Sequence, residues 1–234
     1  MDWNTLATRL FGTGHGIRAA ADDFLAGTAH FDGQPLTVAG TTNHAPVGVR
    51  LALAQAREVL DTVARHPGRA ILLLIDTQGQ QLRRHDELLG IHRAMAHLGM
   101  AIDLARRRGH RVIGLVYDQA LSGGFITSGL IADACYALPE AEIRVMRIPA
   151  MARVTKLPEA MLAALSQSNP VFAPGVQNYV AMGGVRGLWD GDLPAALRRA
   201  LLETPTQDER ARDGAARGGR QLAAQIMQRV LDAV

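Results

Sequence analysis

Two short stretches of this 234-residue chain carry residue types suited to chemistry. The first is Ser122-Gly123-Gly124. It lies between a β-branched apolar run, Val112 to Val116, and an apolar segment, Phe125 to Ile131, that has room only for a short helix. Glycines at the mouth of a helix let other groups approach the backbone closely, and the first N–H groups of a helix have no partner within it. Such donors suit an anion, or an oxygen that becomes anionic during a reaction. The second stretch is Gln78-Gly79, which ends another apolar run, Ala70 to Ile75, by way of Asp76-Thr77. It is placed to supply a facing wall. Gly-Gly before a helix is a weak pattern, and tight helix–strand packing explains it equally well. Both readings stay open at the level of the motif.

Other reactive residues are less well placed. Ser122 as a hydrolytic nucleophile lacks the G-x-S-x-G elbow and has no assigned triad partners. Cys135 lies in a strand-like run of buried character, Ala134 to Leu138, where a thiol is inert. His85, His92 and His97 are seven and five apart, not the i, i+4 pair by which a helix holds zinc, so no metal site is expected there or elsewhere. Gly12-Thr13-Gly14-His15-Gly16 has no preceding strand and no following lysine, and fails both phosphate-loop templates. His44 follows a strand, where sites gather, although a lone loop histidine is more often solvated or capping.

The elements that must position these residues follow from periodicity. Phe24 to Ala29 and Pro35 to Thr41 read as strands joined across Asp32-Gly33, a turn signal. A helix is expected from Val49, with Leu53, Ala56, Leu60 and Val63 on its apolar face, ending at His66-Pro67-Gly68. After the Ala70 to Ile75 strand comes one long helix, His85 to Arg108, striped by Leu88, Ile91, Met95, Leu98, Ile102 and Ala105. Three arginines sit in its last turn and Gly109 ends it. Val112 to Val116 is a strand, Tyr117 to Leu121 a loop, Glu142 to Ile148 a short strand and Pro149 to Thr155 a connector. Pro158 opens a helix broken by Asn169-Pro170, and Asp192-Leu193-Pro194 starts another. Residues 1–23 read as an N-terminal arm, 24–203 as the domain, and 204–234 as a polar linker followed by a helix. That last helix carries Leu222, Ile226 and Val230 on one face, which must pack on a partner subunit or on the chain itself. Buried strands alternating with helices make an α/β fold, and periodicity alone would also allow a doubly wound sheet.

Composition narrows the function. Net charge is +3, with one lysine, Lys156, and arginine supplying the other basic groups. A small, spread excess without a recognisable motif does not fit a nucleic-acid binder. No apolar run is long enough to span a bilayer, and the N-terminus lacks a signal-peptide layout. A single cysteine excludes an internal disulfide and fits a reducing compartment, so a cytoplasmic location is expected.

Strand-IDTxG, long helix, strand, SGG and a strand beginning near an Ala-Asp dipeptide resemble the carboxyltransferase branch of the crotonase superfamily. Within that branch, VAGTTNHAPVGV (38–49), LLIDTQGQ (73–80), ALSGGFITSGLIADACYALP (120–139) and RIPAMARVTKLP (147–158) resemble the γ subunits of biotin-independent malonate decarboxylases. The resemblance implies a ClpP/crotonase-like spiral of ββα units with C-terminal helices. It implies work with a β-type carboxyltransferase-like subunit on a malonyl thioester borne by an acyl-carrier subunit, whose arm is a phosphoribosyl-dephospho-CoA. The chain itself would bind no cofactor. The product would be the acetyl thioester and CO2, formed through an enolate held by an oxyanion hole. On this reading Ser122, Gly123, Gly124, Gln78 and Gly79 form the catalytic wall, and Arg147, Arg153 and His44 contact substrate or carrier. A non-catalytic half that completes the β subunit's site, or a half of a biotin-dependent carboxyltransferase, are the alternatives.

Overall fold

The computed structural model describes residues 1–168, 175–205, 207–219 and 222–233. The chain runs through α1 (Trp3–Phe11), β1 (Ile17–Ala19), β2 (Phe24–Phe31), β3 (Gln34–Thr41), β4 (Pro46–Val47) and α2 (Val49–Arg65). Next come β5 (Ile71–Thr77), β6 (Gly79–Gln80), α3 (Arg84–Leu88), α4 (Ile91–Arg107), β7 (Val112–Leu121) and α5 (Ser122–Ile126). Then follow β8 (Ala134–Ala137), β9 (Glu142–Arg144), α6 (Ile148–Thr155), α7 (Glu159–Ser168) and α8 (Val176–Ala181). The last elements are β10 (Gly187–Leu188), α9 (Leu193–Glu203), α10 (Arg210–Ala216) and α11 (Ala223–Asp232).

An eight-stranded sheet runs β1-β2-β3-β5-β7-β8-β10, with β9 beside the far half of β7. The first three strands are antiparallel, and β3, β5, β7, β8 and β10 are parallel. A small parallel pair, β4-β6, stands apart. The central strands are buried on both faces, which is why they read as unbroken apolar runs. Along β5, Leu72 and Leu74 join a core with α1 and α9, while Ile71 and Leu73 face α2 and α4. Strands alternating with crossover helices match the ββα order that the resemblance implied.

Several expectations are corrected. The stretch 1–23 is not a free arm: Leu6, Ala7 and Leu10 of α1 are buried against Leu193, Ala196 and Leu197 of α9, and β1 pairs with β2. The α9 partner of α1 lies nearly two hundred residues away, beyond local patterning. The buried face of α2 is Leu51, Ala52, Gln55, Ala56, Val59 and Thr62, and Leu53 is exposed. Thr62 accounts for part of that rotation, since its hydroxyl donates to Thr37 Oγ1 across the interface. The long helix is two helices broken at Gly90, whose φ is 76°, and this leaves Leu88 in solvent. Tyr117 to Leu121 continues β7, pairing with β9. The residues read as a connector, 149–155, form most of α6, because Pro149 in a first turn starts a helix. The polar stretch from Thr204 holds α10, pinned by Arg186 to Glu209 and Asp213, and by Arg217 to the carbonyls of Val180 and Val185. Asn169-Pro170 lies outside the described residues.

Candidate active site

The site stands where β3, β5 and β7 end together. In parallel sheets this carboxyl edge is where ligands bind, because the loops that leave it can be varied without disturbing the strands. Thr77 organises the turn after β5: its hydroxyl donates to the Ala45 carbonyl at 2.6 Å and accepts the Gly79 N–H at 3.0 Å. Gly79 is left-handed, φ 103°, and a side chain there would strike Ser122 Cβ at 2.8 Å. A Cβ on Gly124 would come within 2.9 Å of Thr77 Oγ1 and 3.1 Å of Gly79 Cα. Close packing of these two glycines is therefore real. Gly123 differs, since a Cβ there would meet only movable ends, Gln80 Oε1 at 2.9 Å and Met95 Cε at 3.2 Å.

The structure brings Ser122 and Gly124 against Gly79 and Gly123 against Gln80, and Gln78 in the same turn is exposed. Helix α5 has only five residues, so its contribution to an anion is the unpaired N–H groups of its first turn rather than a large dipole. It is anchored by buried Phe125, whose ring meets Tyr179 edge-on at 6.1 Å. Ser122 itself is left-handed, φ 51°, at the strand-to-helix turn. Among the described residues no histidine hydrogen-bonds to it. Cys135 is buried and its thiol is pushed up to about 12 by desolvation, which removes it as a nucleophile.

Sequence reasoning missed the carboxylates. Opposite Asp76 the register of β7 slips: Ile75 pairs with Val116 but Thr77 with Ala120. Three residues, Tyr117 to Gln119, thus face one. A bulge re-aims side chains, and here it brings Asp118 to the His44 imidazole, with Asp118 Oδ2 3.4 Å from Nε2. Asp76 Oδ1 lies 3.6 Å from the same nitrogen. Asp76 is buried and accepts the His44 N–H at 2.9 Å and the Gln119 N–H at 3.3 Å. Burial raises its pKa, opposed by the His44 N–H and the His44 charge; Asp118 adds to the rise. Donor atoms of His44, Asp76 and Asp118 lie within 4.8 Å of one another, a spacing a cation could bridge. Both Asp76 oxygens are already engaged by backbone, however, which makes that residue a strut. No local pattern announces Asp118; only the bulge does.

Arg147 precedes α6 and donates to Gln119 Oε1 at 2.8 Å and to Glu142 at 3.2 Å, so its charge is already paired at the rim. Arg153 is exposed further along the same helix. Asp133 is structural: it accepts from Arg106 Nε at 2.9 Å and from the Val112 N–H at 2.8 Å.

The fold is that of the crotonase-like carboxyltransferases. The transcarboxylase 12S structure with hydrolysed methylmalonyl-coenzyme A superimposes with a TM-score of 0.68 at 22% identity, over 80% of this chain and 38% of that one. A family model, "Malonate decarboxylase gamma subunit", matches residues 42–234, and the chain belongs to that family. The Pseudomonas malonate decarboxylase MdcD-MdcE hetero-dimer aligns at 26% identity with a TM-score of 0.76, covering 94% of this chain and 97% of that one. The Pseudomonas malonate decarboxylase hetero-tetramer in complex with coenzyme A shares the fold, with a TM-score of 0.83 at 23% identity over 98% of both chains. The malonyl-S-ACP:biotin-protein carboxyltransferase MADD of Malonomonas rubra is 33% identical over 175 residues, 68% of this chain. The chain spans about 60% of that curated relative's length. No helix among the described residues is long and apolar enough to cross a membrane.

Proposed function

We propose that this chain works with a β-type carboxyltransferase-like subunit to decarboxylate a malonyl thioester, releasing the acetyl thioester and CO2. The observation that carries the reading is that the γ-subunit family model spans residues 42–234, which include every wall of the strand-end site. Loss of CO2 leaves an enolate whose charge rests largely on the thioester oxygen. The chemistry asks for N–H donors at that oxygen and needs no nucleophile. The first-turn N–H groups of α5 at Gly123 and Gly124 are the donors, and Ser122, Gln78 and Gly79 form the wall around them. The thioester is borne on the phosphoribosyl-dephospho-CoA arm of a carrier subunit in the cytoplasm, and this chain binds no cofactor of its own. Arg153 and, less freely because of Glu142, Arg147 meet the phosphates of that arm or an acidic carrier. His44 stands between two carboxylates, a poor place for a phosphate and one that points to a different role, taken up below. The apolar face of α11 meets the β-type partner.

The test compares two variants of one residue in the assembled complex. Gly123→Ala adds a Cβ that meets only flexible side-chain ends, and Gly123→Pro adds the same Cβ within a ring that is tolerated in a helix's first turn. Only proline deletes the N–H. Turnover of Gly123→Pro should fall about 10²–10³-fold below Gly123→Ala, the usual loss of one well-aimed donor. Equal activities with the complex intact would make Gly123 a packing residue and this chain the structural half of the partner's site.

The relative in Malonomonas rubra, a carboxyltransferase by name, favours a second reading in which CO2 passes to biotin. Turnover that requires a biotinylated protein and releases no free CO2 would establish it.

A further inference from the structure

His44 leaves β3 in a left-handed conformation, φ 52°, directly after Asn43 at φ 54°. Two successive residues other than glycine in this region are strained, so the fold must hold them there. It does so from both sides. Asn43 Nδ2 donates to Asp23 Oδ1 at 2.8 Å, the His44 N–H to Asp76 Oδ2 at 2.9 Å, and the Gln78 N–H to the His44 carbonyl at 3.3 Å. The last bond ties the histidine to the strand end whose next residue, Gly79, packs on Ser122 and Gly124. The ring is half exposed, and both carboxylates, Asp76 from β5 and Asp118 from the β7 bulge, approach the same nitrogen, Nε2. Both carboxylates thus lie at ion-pair distance from Nε2 and favour a charged ring, whose other proton-bearing nitrogen is Nδ1. The 3.4 and 3.6 Å separations are ion-pair distances, and such contacts shorten when substrate closes a site.

We propose that His44 hands the enolate its proton, with Asp76 and Asp118 as positioning residues. This rests on the decarboxylase reading above. When CO2 departs, the electron pair of the broken C–C bond is shared between the α-carbon and the thioester oxygen. The α-carbon takes the Nδ1 proton of the imidazolium. The new C–H bond forms from the enolate pair, the N–H electrons stay on Nδ1, and the thioester carbonyl is restored. Solvent water protonates the ring again, so the cycle consumes one proton per CO2 released.

A missing proton donor leaves a signature that a damaged fold does not. An enolate waiting for its proton recaptures CO2, so label from ¹³CO2 enters unreacted malonyl thioester. The assay uses this chain with its β-type partner and carrier-borne malonyl thioester. His44→Asn is the first variant, because asparagine accepts the left-handed backbone, and His44→Gln is the second. Net acetyl-thioester formation should fall about 10²–10⁴-fold in both, the usual worth of a positioned acid. Label exchange per turnover should rise at least tenfold, with the complex still assembled on a sizing column. Asp118→Asn should shift the same ratio less. Exchange and turnover falling by one common factor, or turnover unchanged, would overturn the proposal while the wild-type activity stands. A wild-type complex that makes no acetyl thioester would overturn the decarboxylase reading and the proton donor with it.

Discussion

Asp76 serves the fold at the candidate site, and the proposed proton transfer calls on it as well. Burial disfavours its charge, yet it accepts two backbone N–H groups that hold the His44 loop and the β7 bulge. Its pKa is raised in the folded chain above its ordinary 3.8. The folded state therefore keeps a proton that the unfolded state has lost as pH climbs from 3.8. Stability from this group declines over that range, and the cost is complete above the raised value. Asp76→Asn should abolish this slope. An amide can accept at only one of its two ends, so one buried N–H also loses its partner and the variant should be about 1–3 kcal/mol less stable at pH 7. Denaturant unfolding of both proteins from pH 4 to 7 checks it; parallel curves would show that Asp76 does not carry the linkage. Sequence reading reached Ser122, Gly123, Gly124, Gln78 and Gly79 because glycines at a strand–helix junction leave a local trace. It took His44 only as a substrate or carrier contact and passed over Asp118, since their meeting depends on a bulge that no periodicity encodes.

At the scale of elements, β7 is the axis of the site. One half of it pairs with β8 and the other with β9, and it carries the bulge and then the SGG turn. The central strands were legible because burial on both faces makes their runs continuous. The far half of β7 was not, since Asp118 and Gln119 look like loop residues until β9 and Asp76 satisfy them. The start of α6 was lost for a related reason, as a proline marks a beginning as readily as a break. Asp133, 8% exposed at its side chain, links β7 to α4 beside their apolar contacts by taking Arg106 Nε and the Val112 N–H. Arg106→Met keeps the bulk of the stem and removes the charge, leaving a largely buried carboxylate without its cation. Loss of one partner of such a pair costs about 3 kcal/mol or more. The variant should unfold at lower denaturant with an unchanged m-value, and Arg106→Lys should recover part of the loss. A midpoint equal to wild type in Arg106→Met would show that solvent replaces the arginine without cost.

For the whole molecule, the two ends of the chain behave in opposite ways. Helix α1, read as part of an arm, is stitched into the core through α9, whereas α11 buries none of its described side chains. Leu222, Ile226, Met227, Val230 and Leu231 are all more than half exposed and form a contiguous apolar face on one helix. The sequence posed the choice between partner and own body, and the exposure of this face favours a partner. Replacing Ile226 and Val230 with lysine keeps helix propensity and favours the C-terminal end of the helix dipole. In the isolated chain the double variant should therefore melt within about 1–2 °C of wild type, as expected for surface changes under about 0.5 kcal/mol. Against the β-type subunit the same variant should bind at least tenfold more weakly, because about 1.4 kcal/mol of lost apolar contact suffices for that factor. Calorimetric titration of the two purified chains reads both quantities on one pair of proteins. Unchanged affinity would mean that α11 does not face the β-type subunit. A lowered melting temperature in the isolated chain would instead return the helix to its own body.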